Sequence, residues 1–269
     1  MLTLKLIDHE GHMIEEHTHS EEVYLAFKDR TYQAGEKIML TTTKAPLFVW
    51  LQVDEALAPS LVYLKESEWI FPIITEDTLR RAYSPKLFSG KRHYLHAWLA
   101  KEYEINAYRN LAVNAHDQKN HSGAYPHAYA NVETRNDSTF FARNAIDGMI
   151  ANKNHGSFPY QSWGINQQAD AQLTIDFGRN VEIDKIALVL RGDYPHDSYW
   201  TQVTLEFSNG QQEILKPTNQ LDRQYFSFTK IRTSSILLKE LIKHHDESPF
   251  PALTQIEIYG TECHQEESK

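Results

Sequence analysis

Apolar and polar residues alternate in two long segments of this 269-residue chain. In the first segment residues 2–7 alternate, and short runs rich in β-branched and aromatic residues follow at 22–27, 36–42, 47–53 and 61–64. Prolines lie at the ends of these runs, where they remove no hydrogen bond from a strand ladder. The pattern predicts a β-rich segment over residues 1–93.

The spacing of apolar residues changes over residues 94–108. Leu95, Trp98, Leu99 and Ile105 fall near helical spacing, with charged residues between them. We predict a short helix here, which makes residues 94–109 a helical connector between the two β-rich segments.

Strand-like patterns return after residue 110. Alternating or continuous apolar runs are found at 172–177, 183–190, 202–207, 224–228, 235–241 and 254–259. Asn209-Gly210 between two of them is a strong hairpin signal, typical of a turn whose central residues have positive φ. The chain shows no alternation of strands and helices, so the pattern favours an all-β protein built from β-sandwiches.

Composition and charge exclude several classes of function. The formal charge of −9, with 27 basic residues scattered among 36 acidic ones, argues against a nucleic-acid partner. No apolar run approaches the ~20 residues that span a bilayer. The first residues lack the basic region of a secretory signal, and the single cysteine, Cys263, allows no internal disulfide. These features predict a cytoplasmic protein, with an extracellular location still open if a leader has been removed.

Four motifs occur in the order typical of one known family. They are residues 144–148 (Asn-Ala-Ile-Asp-Gly), 162–163 (Ser-Trp), 173–178 (Leu-Thr-Ile-Asp-Phe-Gly) and 255–260 (Gln-Ile-Glu-Ile-Tyr-Gly). This order resembles the discoidin family, which includes coagulation-factor C-type domains and bacterial galactose-binding-like carbohydrate modules. The resemblance covers roughly residues 110–260. It implies a jelly-roll sandwich whose loops at one end bind glycans or, in some members, lipid head groups.

The resemblance and the strand pattern together define the expected architecture. We predict an N-terminal β-sandwich-like domain of unknown role (1–93), the helical connector (94–109), a discoidin-like carbohydrate-binding domain (110–261) and a polar tail (262–269). The fold class is therefore all-β, with two jelly-roll-like β-sandwich domains joined by a short helical segment.

The resemblance also implies a structural Ca²⁺ ion near the Asp-Gly turn and the last strand. Calcium takes six to eight hard oxygen ligands, and a carboxylate in a tight turn supplies some of them. Asp147, Asn152 and Glu257 are the expected ligands. The intervening segment 149–161 is longer than in the family pattern. The alternative is an Asp-Gly turn without an ion, in which the aspartate caps its own backbone.

Polar and aromatic residues are densest at 190–200, a loop between two predicted strands. Sugar recognition needs paired hydrogen bonds to hydroxyls and an aromatic ring against the C–H face of the sugar. The candidates are Arg191, Asp193, His196 and Asp197 for hydrogen bonds and Tyr194 or Trp200 for the ring. In the alternative interpretation the loop is self-contained, with Arg191 paired to an aspartate and Trp200 in the core.

A second loop, residues 154–163, also interleaves polar and aromatic residues. We expect His155 to contact the ligand, whereas Trp163 occupies the place of a structural tryptophan in the resembled family. The sequence contains none of the short nucleophile, phosphate-loop or dinucleotide motifs, so no catalytic residue is assigned. We predict a non-catalytic carbohydrate-binding protein whose protein partners are unknown. The alternative is an enzyme on a small sugar or sugar phosphate, with Asp193, His196 and Asp197 as acid, base and orienting group.

Overall fold

The computed structural model describes residues 1–120 and 123–263. It consists mainly of antiparallel β-strands, as predicted. The strands of the first half are β1 (Leu2–Ile7), β2 (Met13–His19), β3 (Glu22–Lys28), β4 (Lys37–Thr42), β5 (Leu47–Gln52), β6 (Ser60–Leu64), β7 (Glu68–Pro72) and β8 (Arg92–Leu99). Those that follow are β9 (Arg109–Asn110), β10 (Ala124–Tyr125), β11 (His127–Ala130), β12 (Trp163–Gly164), β13 (Leu173–Leu190), β14 (Trp200–Phe207), β15 (Gln212–Leu215), β16 (Gln224–Lys243) and β17 (Ala252–Glu262).

Helical structure is confined to short pieces in the described residues. The two α-helices, α1 (Asp77–Arg80) and α2 (Glu102–Ile105), have one turn each. Three 3-10 turns, Thr134–Asn136, Ser138–Phe140 and Ala142–Ile146, follow β11. None of the helices in these residues is long and apolar enough to cross a membrane.

The N-terminal half is a sandwich of two sheets with strand orders β2-β1-β4-β7 and β10-β6-β5-β8-β3. Alternation places one face of each strand inside. Leu4 and Leu40 of the first sheet share a buried cluster with Leu25 and Leu95 of the second, and all four are at most 2% exposed. The sandwich predicted for this half is confirmed.

The helix predicted over residues 94–108 is wrong for its first half. Residues 92–99 form β8, which lies between β3 and β5. Leu95 and Ala97 are buried, whereas Tyr94 is exposed and His96 partly so, which is the two-residue period of a strand. The helical spacing in the sequence depended on Trp98. In the structure Trp98 lies on the outer face of β8 with Tyr94 and His96. Only α2 remains of the predicted connector.

The C-terminal half is one continuous sheet in the order β12-β17-β13-β16-β14-β15, with β11 and β9 at its margins. The long strand β13 changes partners along its length. Residues 173–176 pair with β11 and with 235–238 of β16, whereas residues 181–190 pair with β17. Ile175 of its first part and Ile186 of its second part are both fully buried in one cluster. The sheet thus folds over one core as a sandwich.

The predicted hairpin at Asn209-Gly210 joins β14 to β15, but its turn differs from the expected type. Only Gly210 has a positive φ, of 82°. Gly210 N–H donates to the Phe207 carbonyl (2.8 Å), and Phe207 N–H donates to the Gln211 carbonyl (3.0 Å).

Residues 110–120 and 123–126 contact both halves, so the chain does not divide as cleanly at residue 110 as the sequence suggests. Ala124 and Tyr125 extend the N-terminal sheet by pairing with β6. His116 is fully buried, and its Nε2 accepts a hydrogen bond from the Val53 backbone (3.2 Å). Farther along, the Phe158 N–H donates to the Arg81 carbonyl (2.8 Å). The predicted polar tail at 262–269 lies outside the described residues from 264 onward.

Candidate functional site

Several loops of the C-terminal sandwich meet at one end. Because the strands are antiparallel, the ends of β13 and β16 lie beside the starts of β14 and β17. Between these loops is a cavity of about 330 Å³, which we call the rim cleft. Its lining includes two phenylalanines, two histidines, an arginine and an asparagine: Arg135, Phe140, His155, Asn166, His196 and Phe250.

Apolar rings and cationic or polar groups lie next to each other in the rim cleft. The His196 ring lies 5.8 Å from the Phe250 ring and 6.4 Å from the Phe140 ring, measured between centroids. The guanidinium of Arg135 lies 5.6 Å from the centroid of the Phe140 ring. Phe140 is buried, whereas Arg135 is exposed. The cleft therefore offers aromatic surface beside a solvent-accessible hydrogen-bond donor.

Two turns with unusual backbone conformation place the polar residues. Arg135 (φ 56°) and Asn166 (φ 50°) are both in the left-handed region, which is uncommon for residues other than glycine. The Asn166 N–H donates to Thr134 Oγ1 (2.9 Å) and so ties the turns together. A Cβ atom on Gly164 would lie 2.7 Å from Thr134 Oγ1, so only glycine allows this close approach. Such strain is often associated with functional sites.

His155, Asp193 and His196 form a compact group in this region. His155 Nδ1 is hydrogen-bonded to Asp193 Oδ2, and His196 Nδ1 lies 3.6 Å from the same oxygen. The centroids of the two imidazole rings are 4.2 Å apart. Burial lowers the pKa of His196, and the nearby His155 lowers this pKa further. The His196 ring is therefore neutral at pH 7.

Arg191, a predicted ligand contact, is not among the residues that line the rim cleft. Its side chain is fully buried, and it donates hydrogen bonds to the carbonyls of Asn154 and Tyr160. Nη1 also lies 3.6 Å from Asp193 Oδ1. Burial lowers its pKa to about 10, which leaves the guanidinium charged at neutral pH. Arg191 thus holds the His155 loop against the Asp193 loop, a positioning role outside the cleft lining rather than the ligand contact expected from the sequence.

Three other predicted residues lie away from the cleft lining. Trp200 is 1% exposed and packs in the core beside Trp163, so it is unavailable as a stacking platform. Tyr194 is 74% exposed, but its side chain lines no part of the cleft. Asp197 accepts a hydrogen bond from Ser248 Oγ and is not part of the group formed by His155, Asp193 and His196.

The residues expected to bind calcium are engaged separately. Asp147 is buried and accepts hydrogen bonds from Gln161 Nε2 (2.7 Å) and the Met149 N–H (2.8 Å), and burial raises its pKa to about 6. Asn152 donates to the carbonyls of Leu190 (2.9 Å) and Leu221 (2.7 Å). Glu257 pairs with Arg223 (2.9 Å) and accepts from Tyr259 (2.7 Å). Each of the three residues thus has hydrogen-bond partners of its own within the protein, and the Ca²⁺ ion stays a prediction from the resemblance.

Sequence reasoning missed four of the six cleft residues named above. Three of them lie in turns without a strand or helix period, so the sequence does not show which way their side chains point. These are Arg135, Phe140 and Asn166. Phe250 carried a usable signal, because Pro249 and Pro251 flank it immediately before the last strand. A large apolar residue fixed between two prolines in a loop is a reasonable candidate for a binding surface.

No protein-family model matches the chain, and no curated protein does either. Among solved structures, chitosan-binding module 1 from a Paenibacillus sp. IK-5 chitosanase/glucanase is 18% identical, covering 56% of this chain and 98% of the module (TM-score 0.39). The family 32 carbohydrate-binding module of Clostridium perfringens NanJ, solved with galactose, is 18% identical over 49% of this chain and 91% of the module (TM-score 0.38). The Streptococcus pneumoniae fucose-binding module SpX-3 is 13% identical over 57% of this chain and 98% of the module (TM-score 0.41).

Proposed function

We propose that this chain is a non-catalytic carbohydrate-binding protein that holds a glycan in the rim cleft. The observation that carries the proposal is the pairing of aromatic rings with accessible polar groups in one concave site. Phe140 and Phe250 offer apolar surface, and Arg135, Asn166 and His155 offer groups that bond to hydroxyls. Its volume of about 330 Å³ is at the small end of the ~300–1,000 Å³ range of ligand pockets.

The physical chemistry of the cleft suits a sugar ring. A sugar presents an apolar C–H face and a rim of hydroxyls, so it needs both kinds of surface at once. Covering ~100 Å² of apolar surface on Phe250 contributes about 2.5 kcal/mol. A hydrogen bond to the Arg135 guanidinium contributes ~1.5–3 kcal/mol, because the donor is charged. These magnitudes predict weak binding, with a dissociation constant of about 10 μM to 1 mM.

A neighbouring cavity suggests that the glycan extends beyond one sugar. This second space, of about 550 Å³, shares Ile165 and Pro251 with the rim cleft. Lys243 and Asp246 line it. The two cavities are therefore adjacent, and we expect an oligosaccharide to bind more tightly than its terminal monosaccharide.

The first test is a glycan-array screen followed by calorimetry on the glycans that bind. Phe250→Ala and Arg135→Ala should each weaken binding about tenfold or more, since tenfold corresponds to ~1.4 kcal/mol. Tyr194→Ala is the matched control, because Tyr194 is an exposed ring on an adjacent loop outside the cleft lining. Its affinity should equal that of the wild type.

The same samples distinguish binding from catalysis. Incubation of the bound glycans with the protein, followed by product analysis, should return them unchanged. If Phe250→Ala and Arg135→Ala both bind as the wild type does, the glycan site lies elsewhere. Cleavage that Asp193→Asn abolishes would instead support the enzyme alternative.

A further inference from the structure

The group of His155, Asp193 and His196 has the composition of a metal site. Each residue offers one ligand atom, and these atoms lie within 4.8 Å of one another. Asp193 Oδ2 is close to both rings, as a hydrogen-bond partner of His155 Nδ1 and at 3.6 Å from His196 Nδ1. Two imidazoles and one carboxylate form the protein part of many divalent-metal sites that keep one position open.

Two atoms of this group lack hydrogen-bond partners within the described part of the chain. His196 Nδ1 and Asp193 Oδ1 are buried and accept or donate no hydrogen bond, although Asp193 Oδ1 lies 3.6 Å from Arg191 Nη1. Buried polar atoms are nearly always satisfied, so an unpaired imidazole nitrogen beside a carboxylate indicates a partner that the protein itself does not supply. His196 Nδ1 lies 3.6 Å from Asp193 Oδ2, so its lone pair can be presented to a cation beside that oxygen.

The positive charge of Arg191 opposes the binding of a cation nearby, and the contacts that Arg191 makes limit this repulsion. Its Nη1 lies 3.6 Å from Asp193 Oδ1, whereas the histidines face Oδ2. Two of its N–H groups are already bound to the carbonyls of Asn154 and Tyr160. Arg191 therefore fixes one oxygen of the carboxylate and leaves the other directed at the imidazoles. Outer partners of this kind orient metal ligands in proteins.

We propose that His155, Asp193 and His196 bind a Zn²⁺ ion in the wall of the rim cleft. Imidazole nitrogens favour zinc, whereas Ca²⁺ and Mg²⁺ prefer oxygen ligands. Tetrahedral zinc with ligands at ~2.1 Å separates its donor atoms by about 3.4 Å. The 3.6 Å between His196 Nδ1 and Asp193 Oδ2 meets this requirement. The shorter contact to His155 opens when the ion replaces the proton between the two groups, and that proton moves to the other ring nitrogen.

The ion would leave an open coordination position at the cleft. Both histidines line that cavity, so a ligand in it could reach the metal with a hydroxyl or carboxylate oxygen. This inference does not depend on glycan binding, because the metal is tested alone.

The experiment is a calorimetric titration of chelator-treated protein with zinc chloride. We expect one Zn²⁺ ion per chain at this site. His155→Ala, His196→Ala and Asp193→Asn should each weaken zinc binding at least about 100-fold. Titration with Co²⁺ should add the visible absorption of a tetrahedral cobalt site in the wild type and not in these variants.

His12→Ala is the matched control. Asp8, Glu10 and His12 form the other such cluster in the residues that the structure describes, and His12 is exposed there. The control should bind zinc at the proposed site as the wild type does. His155→Ala keeps the test decisive if another variant fails to fold, because His155 is an exposed loop residue. The proposal is overturned if wild-type protein takes up no zinc at millimolar concentration, or if folded His155→Ala and His196→Ala bind it unchanged.

Discussion

The side chain of Arg191 is enclosed where two rim loops meet, and its charge is directed at backbone carbonyls. Arg191→Ala removes a buried charged donor and leaves the carbonyls of Asn154 and Tyr160 unpaired, which costs about 2–4 kcal/mol. Because each kcal/mol shifts the melting temperature by ~2–4 °C in a protein of this size, we expect a fall of about 5–15 °C. Differential scanning fluorimetry measures it. Arg135→Ala is the control and should melt as the wild type does, since Arg135 is exposed.

A normal melting temperature for Arg191→Ala together with lost glycan binding would contradict this role. That outcome would restore Arg191 as a direct contact, which is what the sequence pattern indicated. His155 and His196, which the sequence pattern predicted as ligand contacts, both line the rim cleft. Loops rich in polar and aromatic residues often form binding surfaces. The sequence could not tell which side chain of a loop points inward. Loops have no period, so the sequence did not show that the Arg191 side chain is buried away from the cleft lining.

Strand β8 shows the corresponding limit at the scale of a secondary-structure element. Its apolar residues fit both a helical and a strand period over so short a run, and the partner strands β3 and β5 decide between them. Strands with a polar outer face and a buried inner one, such as β1 and β4, were predictable from alternation alone. Strand β2 was missed because it is almost entirely exposed.

Leu95 tests the position of β8 in the N-terminal core. Its side chain is fully buried among residues of both sheets, so Leu95→Ala should lower the free energy of unfolding by about 2–5 kcal/mol. Tyr103→Ala, in α2, is the control, because Tyr103 is 74% exposed and should change stability by less than ~0.5 kcal/mol. Urea denaturation followed by circular dichroism gives both values. Equal stability of the two variants would mean that residues 94–99 are a surface connector.

In the whole molecule, a band of buried polar residues joins the two halves. Arg143 donates to the carbonyls of Asp117 (2.7 Å) and Ala115 (3.3 Å), and its guanidinium lies 4.5 Å from the centroid of the Tyr83 ring. Such contacts are made between residues distant along the chain. No local pattern encodes these contacts. The sequence therefore predicted two β-rich halves, but it did not predict that residues 110–120 and 123–126 contact both of them.

Two buried groups in this band make the stability of the protein depend on pH, and their effects on stability have opposite signs. Burial lowers the pKa of His116 to about 3, so below pH 6.5 the unfolded chain takes up a proton that the folded chain does not, and stability falls. Burial raises the pKa of Asp147 to about 6, so between pH 6 and 3.8 the folded chain holds the extra proton, and stability rises as pH falls. Each effect is about 1.4 kcal/mol per pH unit, so the two nearly cancel between pH 6 and 4.

Substitution of one group makes the pH dependence due to the other group measurable. As the pH falls from 6 to 4, the unfolding free energy of His116→Asn should rise by about 3 kcal/mol relative to that of the wild type. Asp147→Asn should change by a similar amount in the opposite direction. Loss of packing against Trp69 and Phe71 shifts the His116→Asn values at every pH and leaves the slope unchanged. Urea denaturation at several pH values measures both slopes. Parallel curves for wild type and His116→Asn would show that the His116 imidazole titrates alike in the folded and unfolded chain, against its burial between the two halves.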